Sequence, residues 1–272
     1  MKSVSPVYIK YSTIFNHLEI NKGDIVYIAS NIIKIIHAAR KTEEFDINKF
    51  IDSIQHKVGN EGTLLFPAFN FELKQQDKFD IKNTAPVTGL LPLAAFKRID
   101  FKRTQHPLHS FMVWGKYADE LAGLTNKSSF GEDSPFAFIH NKKAKLLAID
   151  LDFQHSYPFA HYVEEQEQVP YRAWKKYNID YIDESGNVTQ RAYNMFAKKR
   201  GYVNNVNPLY EILKQQGAVK IQMINNVEYK ITEVEKAFEV CQKDIQGNKA
   251  RNICYFDPIV YFKSLIKSFL GK

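Results

Sequence analysis

The stretch from Gly23 to Pro67, GDIVYIASNIIKIIHAARKTEEFDINKFIDSIQHKVGNEGTLLFP, decides the fold. Gly23-Asp24 is a turn that opens Ile25-Val26-Tyr27-Ile28-Ala29, a short apolar run suited to a buried strand. Ile47 to Val58 then carries Ile47, Phe50, Ile51 and Ile54 at helical spacing. Gly59 follows, where a helix C-cap prefers glycine. Thr63-Leu64-Leu65-Phe66 is a second buried strand, stopped by Pro67. Further along, Lys145 to Leu151 (KLLAIDL) supplies a third. Strands alternating with helices predict an α/β protein with a central, mostly parallel or mixed sheet flanked by helices on both faces.

The second half changes character. Tyr177 to Tyr193 alternates apolar and polar residues around Ser185-Gly186-Asn187, which reads as a hairpin. Val219–Met223 and Val227–Ile231 flank Asn225-Asn226 as a second hairpin, and Tyr255 to Leu270 reads as a helix. Residues 1–170 are thus expected to form the α/β core and 171–272 an α+β annex with hairpins, or the two together one domain. The extra hairpins could serve a homodimer.

At 272 residues and 44% hydrophobic, the chain can bury a sizeable core, which excludes disorder. No run reaches the roughly eighteen apolar residues of a membrane span, so no membrane partner is expected. Met1 to Lys10 lacks the zones of a signal peptide. Cys241 and Cys254 have neither metal-site spacing nor a disulfide framework. A cytoplasmic protein with reduced thiols and no metal is the simplest reading. The net charge of +7 fits either a solvated surface or an anionic partner. A nucleic-acid-binding protein would cluster its basic residues. Here they are dispersed, with only short groups such as Lys142-Lys143 and Lys198-Lys199-Arg200, so no nucleic acid is expected.

The most informative chemistry lies between Asp150 and Glu165, DLDFQHSYPFAHYVEE, where a strand ends and a helix should begin. Ser156 can cap that helix, Pro158 is tolerated in its first turn, and Pro170 ends it. His161 and Glu164 then share a face at i and i+3, with Glu165 as a competing neighbour and Phe159 and Val163 turned to the sheet. A carboxylate beside an imidazole fixes its tautomer and raises its basicity, so the pair can take a proton from a nucleophile. Alone, such a pair is more often a surface contact.

Three upstream blocks change the odds. Asn83 to Arg98 reads NTAPVTGLLPLAAFKR, Ile99 to Phe111 reads IDFKRTQHPLHSF, and Phe130 to Pro135 reads FGEDSP. With the His161-x-x-Glu164 pair, this ordered series resembles the aminoglycoside N-acetyltransferase family that modifies the 3-amino group. Gly23-Asp24 with Ser30, and Gly62-Thr63 through Pro67, match that family's opening elements. The resemblance covers about residues 20 to 172, ending at Tyr171-Arg172. Three positions depart from it: Ile28-Ala29-Ser30 replaces a His-Ser-Ser run, Thr104 stands for a serine, and Pro158 for a threonine.

The resemblance implies acyl-CoA as donor and an amine as acceptor. His161 is the expected base and Glu164 orients it; Asp150 or Asp152 either shares that role or caps the turn. Ser30, Arg103, Thr104, His106 and Ser110 are the expected cofactor-side residues, against a structural reading in which Arg103 ties loops together. With the thioester already activated and neither cysteine near the matched blocks, direct transfer in a ternary complex is expected. The basic charge favours a nucleotide-diphosphate-linked amino sugar as acceptor, since members of the family also act on such sugars. An aminoglycoside is the alternative.

Overall fold

In a computed structural model, residues 7–74 and 77–269 are described. The opening stretch becomes β1 (Ile25–Ser30), α1 (Ile33–Ala39), α2 (Ile47–Val58) and β2 (Thr63–Phe69). Asp46 caps α2 by accepting from the Asn48 amide at 2.8 Å, and Gly59 leaves the helix at φ 66°. There follow β3 (Lys78–Asp80), α3 (Leu90–Phe96), β4 (Lys102–Arg103), β5 (His109–Gly115), α4 (Ala118–Ala122), α5 (Pro135–Asn141), β6 (Lys145–Ile149), α6 (Phe153–Ser156) and α7 (Phe159–Gln166). The remainder is β7 (Arg172–Ile182), β8 (Val188–Lys198), β9 (Tyr202–Asn204), α8 (Asn207–Gln215), β10 (Val219–Ile224), β11 (Val227–Glu233), α9 (Val234–Asn248), β12 (Cys254–Phe256) and α10 (Pro258–Phe269).

The central sheet has seven strands in the order β10-β11-β6-β1-β2-β5-β4. The β6–β1 and β1–β2 pairings are parallel and the other four pairings of this sheet are antiparallel, so the sheet is mixed rather than largely parallel. Alternation along β1 shows why both faces are covered. Ile25, Tyr27 and Ala29 join one apolar cluster with Phe136, Phe159, Val163 and Val234, while Val26 and Ile28 join the opposite one with Phe50, Ile54 and Leu91.

Both expected hairpins form. Asn225 and Asn226 take φ 52° and 62° between β10 and β11, as a tight primed turn demands. That hairpin pairs with β6, so strands from both sides of residue 170 share the central sheet. The β7–β8 hairpin is longer than its alternation suggested and builds a separate three-stranded sheet with β3. The helix expected from a Ser156 cap begins later, after Pro158, and Ser156 instead ends the short helix α6 before it. Asp152 caps α6, the Ser156 hydroxyl donates back to the Asp152 carbonyl at 2.7 Å, and Pro158 starts α7. The second helix stops at Gln166, before Pro170, with Gln168 at φ 47°.

Candidate active site

The carboxyl ends of the parallel strands β1 and β6 lie side by side, with Ser30 in register with Ile149. In α/β sheets this is the edge that loops convert into a site. The chain leaves β6 here and reaches α7, where Phe159 and Val163 are fully buried against the core and so fix the helix orientation. That orientation brings His161 Nδ1 to 2.6 Å from Glu164 Oε2. Glu164 is fully buried, whereas the imidazole is 27% exposed.

Glu164 has two further partners. The Tyr171 hydroxyl donates to its Oε1 at 2.8 Å, and Arg172 Nη2 lies 2.7 Å from Oε2. Burial alone would raise this carboxyl, but His161, Arg172 and Tyr171 together reverse that and hold it below its ordinary value. An ionised Glu164 is an acceptor only, so His161 Nδ1 carries the hydrogen and donates to it. Nε2 is then left with its lone pair. Its neighbour is the Asn204 amide nitrogen at 3.4 Å, a long contact. The arrangement is a hydrogen-bonded, partly exposed imidazole whose outer nitrogen can accept a proton.

Phe130 forms one wall, its ring 5.6 Å from that of His161 and 5.1 Å from that of His109. His109 Nδ1 lies 2.7 Å from the Ser129 hydroxyl, and burial, with the nearby His106 and His161, holds its imidazole well below the ordinary value. Ser128 donates to Glu165 at 2.7 Å; burial pushes that carboxyl up to about 7. Glu165, the neighbour competing for His161 in the sequence, therefore faces a different partner.

A family profile described as aminoglycoside 3-N-acetyltransferase matches residues 37–246, most of the chain. The chain belongs to this family. It is an enzyme of the family's class, transferring an acyl group to an amine. The SPbeta prophage-derived aminoglycoside N(3')-acetyltransferase-like protein YokD of Bacillus subtilis (strain 168) is 24% identical over 197 residues, 57% of this chain and 71% of that protein. Among solved structures, aminoglycoside acetyltransferase AAC(3)-Xa superposes with a TM-score of 0.74 at 16% identity, over 87% of this chain and 91% of its own. AAC-IIIb, solved as a binary with CoASH, gives 0.74 at 16%, over 88% and 95%. Those structures share the fold.

In this acyltransferase the other expected site residues fall into two groups. Ser30 ends β1 with a buried hydroxyl that has no partner, and a Cβ on Gly89 (φ 115°) would come within 3.3 Å of the Ser30 carbonyl, so glycine lets the second block pass close. Arg103, Thr104, His106 and Ser110 are all buried. Arg103 Nε donates to Ser110 at 3.0 Å, its Nη1 donates to the Thr84 carbonyl, and its guanidinium rides over Phe79 and Phe96. Burial lowers it to about 10. The Ser110 hydroxyl donates to the Ala68 carbonyl at 2.7 Å, and the Thr104 hydroxyl accepts from the Phe111 amide at 2.8 Å. His106 Nδ1 accepts from the His109 amide at 3.3 Å, and burial pushes its imidazole down to about 3.

Asp152 is not brought to His161. Its carboxylate accepts from the His155 amide and lies 2.7 Å from His155 Nδ1, on the exposed side of α6. Asp150 instead pairs with Lys34 at 2.7 Å. Sequence reasoning gave no role to Tyr171, Arg172, His109 or Asn204. The first two were in view as the end of the resemblance, and two polar residues straight after a helix-ending proline were the available signal. Asn204 carried none. Cys254, on β12 beside Asn204, also arrives near the site, close enough to feel the charge of Glu164; burial pushes its thiol up to about 11.

Proposed function

We propose that the chain carries an acyl group from acyl-CoA to the amino group of an amino sugar, with His161 Nε2 as base. The acceptor nitrogen gives its proton to Nε2, its lone pair forms the new C–N bond at the thioester carbonyl, and as the C–S bond breaks the sulfur takes that proton from Nε2, releasing CoA thiol and restoring the neutral imidazole. The observation that carries this reading is the fully buried Glu164, fixed by Tyr171 and Arg172, hydrogen-bonded to the inner nitrogen of a partly exposed imidazole. Glu164 orients the base, while Asp152 caps α6. Transfer is direct, since both thiols are held protonated by burial, Cys241 pushed up to about 12 and Cys254 to about 11.

On the cofactor side, the unpartnered hydroxyl supports contact by Ser30. Arg103, Thr104, His106 and Ser110 act by holding their loop in shape, since internal partners engage their side chains. Arg172 and Asn204 reach the base from beyond residue 170, which supports a part for residues 171–272 in completing the acceptor side.

Family membership favours an aminoglycoside as acceptor. A nucleotide-diphosphate-linked amino sugar is favoured by the net charge of +7. It is also favoured by a cavity of about 430 Å³ lined by Asn126, Lys127, Thr189, Arg191 and Tyr193. Neither Lys127 nor Arg191 has an ion-pair partner among the described residues, and Tyr193 packs on His106 at 5.0 Å. A thiol-release assay with acetyl-CoA and longer acyl-CoAs against both acceptor classes, beside His161→Ala, tests the proposal. Turnover that persists in the variant removes His161 as base, and the acceptor that supports turnover decides between the two readings.

A further inference from the structure

The last helix, α10, carries an apolar stripe that turns away from the protein. Ile259, Phe262, Ile266 and Phe269 recur at i, i+3, i+7 and i+10, one face of a helix, and are 64%, 61%, 59% and 87% exposed. Helix placement explains the exposure. Tyr261, Ser264 and Leu265 are the half-buried positions, and Tyr261 packs against Phe256. The opposite face is therefore left bare. An exposed run of four large apolar side chains is costly in water and marks an interaction surface.

Charge says what covers it. Lys263 and Lys267 border the stripe one turn apart, and no acidic residue lies within Pro258–Phe269. Arg200 is tied to the end of the helix by a hydrogen bond to Ser268 at 3.4 Å. Arg200, Lys263 and Lys267 have no ion-pair partner among the described residues, and the whole chain is at +7. A phenylalanine- and isoleucine-bearing face bordered by unpaired cations is the pattern of a helix that lies in a lipid headgroup layer. Symmetric pairing with a second copy would set these cations beside their own duplicates, a like-charge contact that anionic headgroups replace by attraction.

We propose that α10 docks this enzyme peripherally on an anionic lipid surface, with the apolar stripe in the headgroup region and Lys263 and Lys267 against lipid phosphates. No described helix is long and apolar enough to cross a membrane, so α10 lies along the surface. The docking has a consequence for the site. β12 leads into α10 and pairs with β9, whose Asn204 stands beside His161 Nε2. One short ribbon thus links the docked helix to the edge of the active site.

The test is flotation of the full chain with vesicles of phosphatidylcholine containing about a third phosphatidylglycerol, against phosphatidylcholine alone. Capture by the anionic vesicles, reversed by about 0.5 M salt, is expected. Ile266→Asp and Phe262→Asp change exposed side chains, so far-UV circular dichroism and acyl transfer to a soluble acceptor stay unchanged while capture falls about tenfold or more. Lys263→Glu with Lys267→Glu lowers capture by anionic vesicles in the same way. Absence of capture by anionic vesicles overturns the proposal, as does capture unaltered by Ile266→Asp. A concentration-dependent doubling of mass that Ile266→Asp abolishes, without vesicle capture, overturns it in favour of a second copy.

Discussion

Glu165 should make the protein's stability fall as the pH rises through neutrality. The carboxyl is 4% exposed, and burial, with Asp133 adding, lifts it from an ordinary value of about 4.5 to about 7 despite the Ser128 hydrogen bond. The folded state holds this proton more tightly than the unfolded chain does. Its contribution is therefore complete below about pH 4.5 and is lost as the pH rises through about 7. At about 1.4 kcal/mol per tenfold, the gap amounts to about 3 kcal/mol in full. Glu165→Gln keeps the shape and stays neutral, as the protonated acid does. Urea unfolding of both chains at pH 5, 6, 7 and 8.5 should show the variant's advantage growing from under about 1 kcal/mol to about 3 kcal/mol. Other titrating groups, Glu164 among them, are common to both chains and cancel in the difference. Parallel pH profiles would refute the reasoning, because they would mean the folded state ionises Glu165 as readily as water does.

His161→Ala should lower kcat by roughly two to four orders of magnitude, the usual worth of a positioned acid–base group, and steady-state kinetics check it. Arg172→Ala leaves Glu164 buried with one cation fewer, so denaturant unfolding at pH 7 should show a loss of about 3–5 kcal/mol, and because Glu164 is held low in the folded state the lost stability should be largest above the ordinary carboxyl range and shrink towards acid pH. Cys254→Ala should retain kcat within a few-fold, and mass spectrometry of the parent incubated with acyl-CoA alone should find no acylated cysteine; a stable acyl-enzyme would fell direct transfer. Phe136→Ala removes a fully buried ring that meets Tyr27, Phe69, Phe111 and Phe130, and calorimetry or denaturant titration should show a loss of about 3–5 kcal/mol.

The α/β character, the helix over Ile47–Val58 and the turn at Asn225-Asn226 were legible because each rests on local pattern: side-chain period, a capping position, or a residue that tolerates positive φ. The pair His161 and Glu164 was legible for the same reason, being one helical turn apart. What makes the pair a site was not. Asn204 lies 43 residues from His161 and reaches it from β9, which pairs with the still more distant β12. Strand partners far apart in sequence leave no local mark, and the direction in which β5 and β11 join the sheet is equally silent in their apolar runs. Arg103 shows the converse. An arginine in a family-like block reads as a ligand contact, but its neighbours Phe79 and Phe96 come from elements that sequence alone does not place around it.

The cluster around Glu164 also bears on how a buried carboxylate can serve a base at all. Burial by itself favours the protonated acid, and a protonated Glu164 could no longer fix the Nδ1 hydrogen. His161, Arg172 and Tyr171 together keep the carboxylate charged, the first two on one oxygen and the phenol on the other. The same Arg172 Nη2 stands 2.9 Å from His161 Nδ1, so one oxygen of Glu164 gathers both donors. Arg172 therefore helps to secure the tautomer by keeping the carboxylate an acceptor.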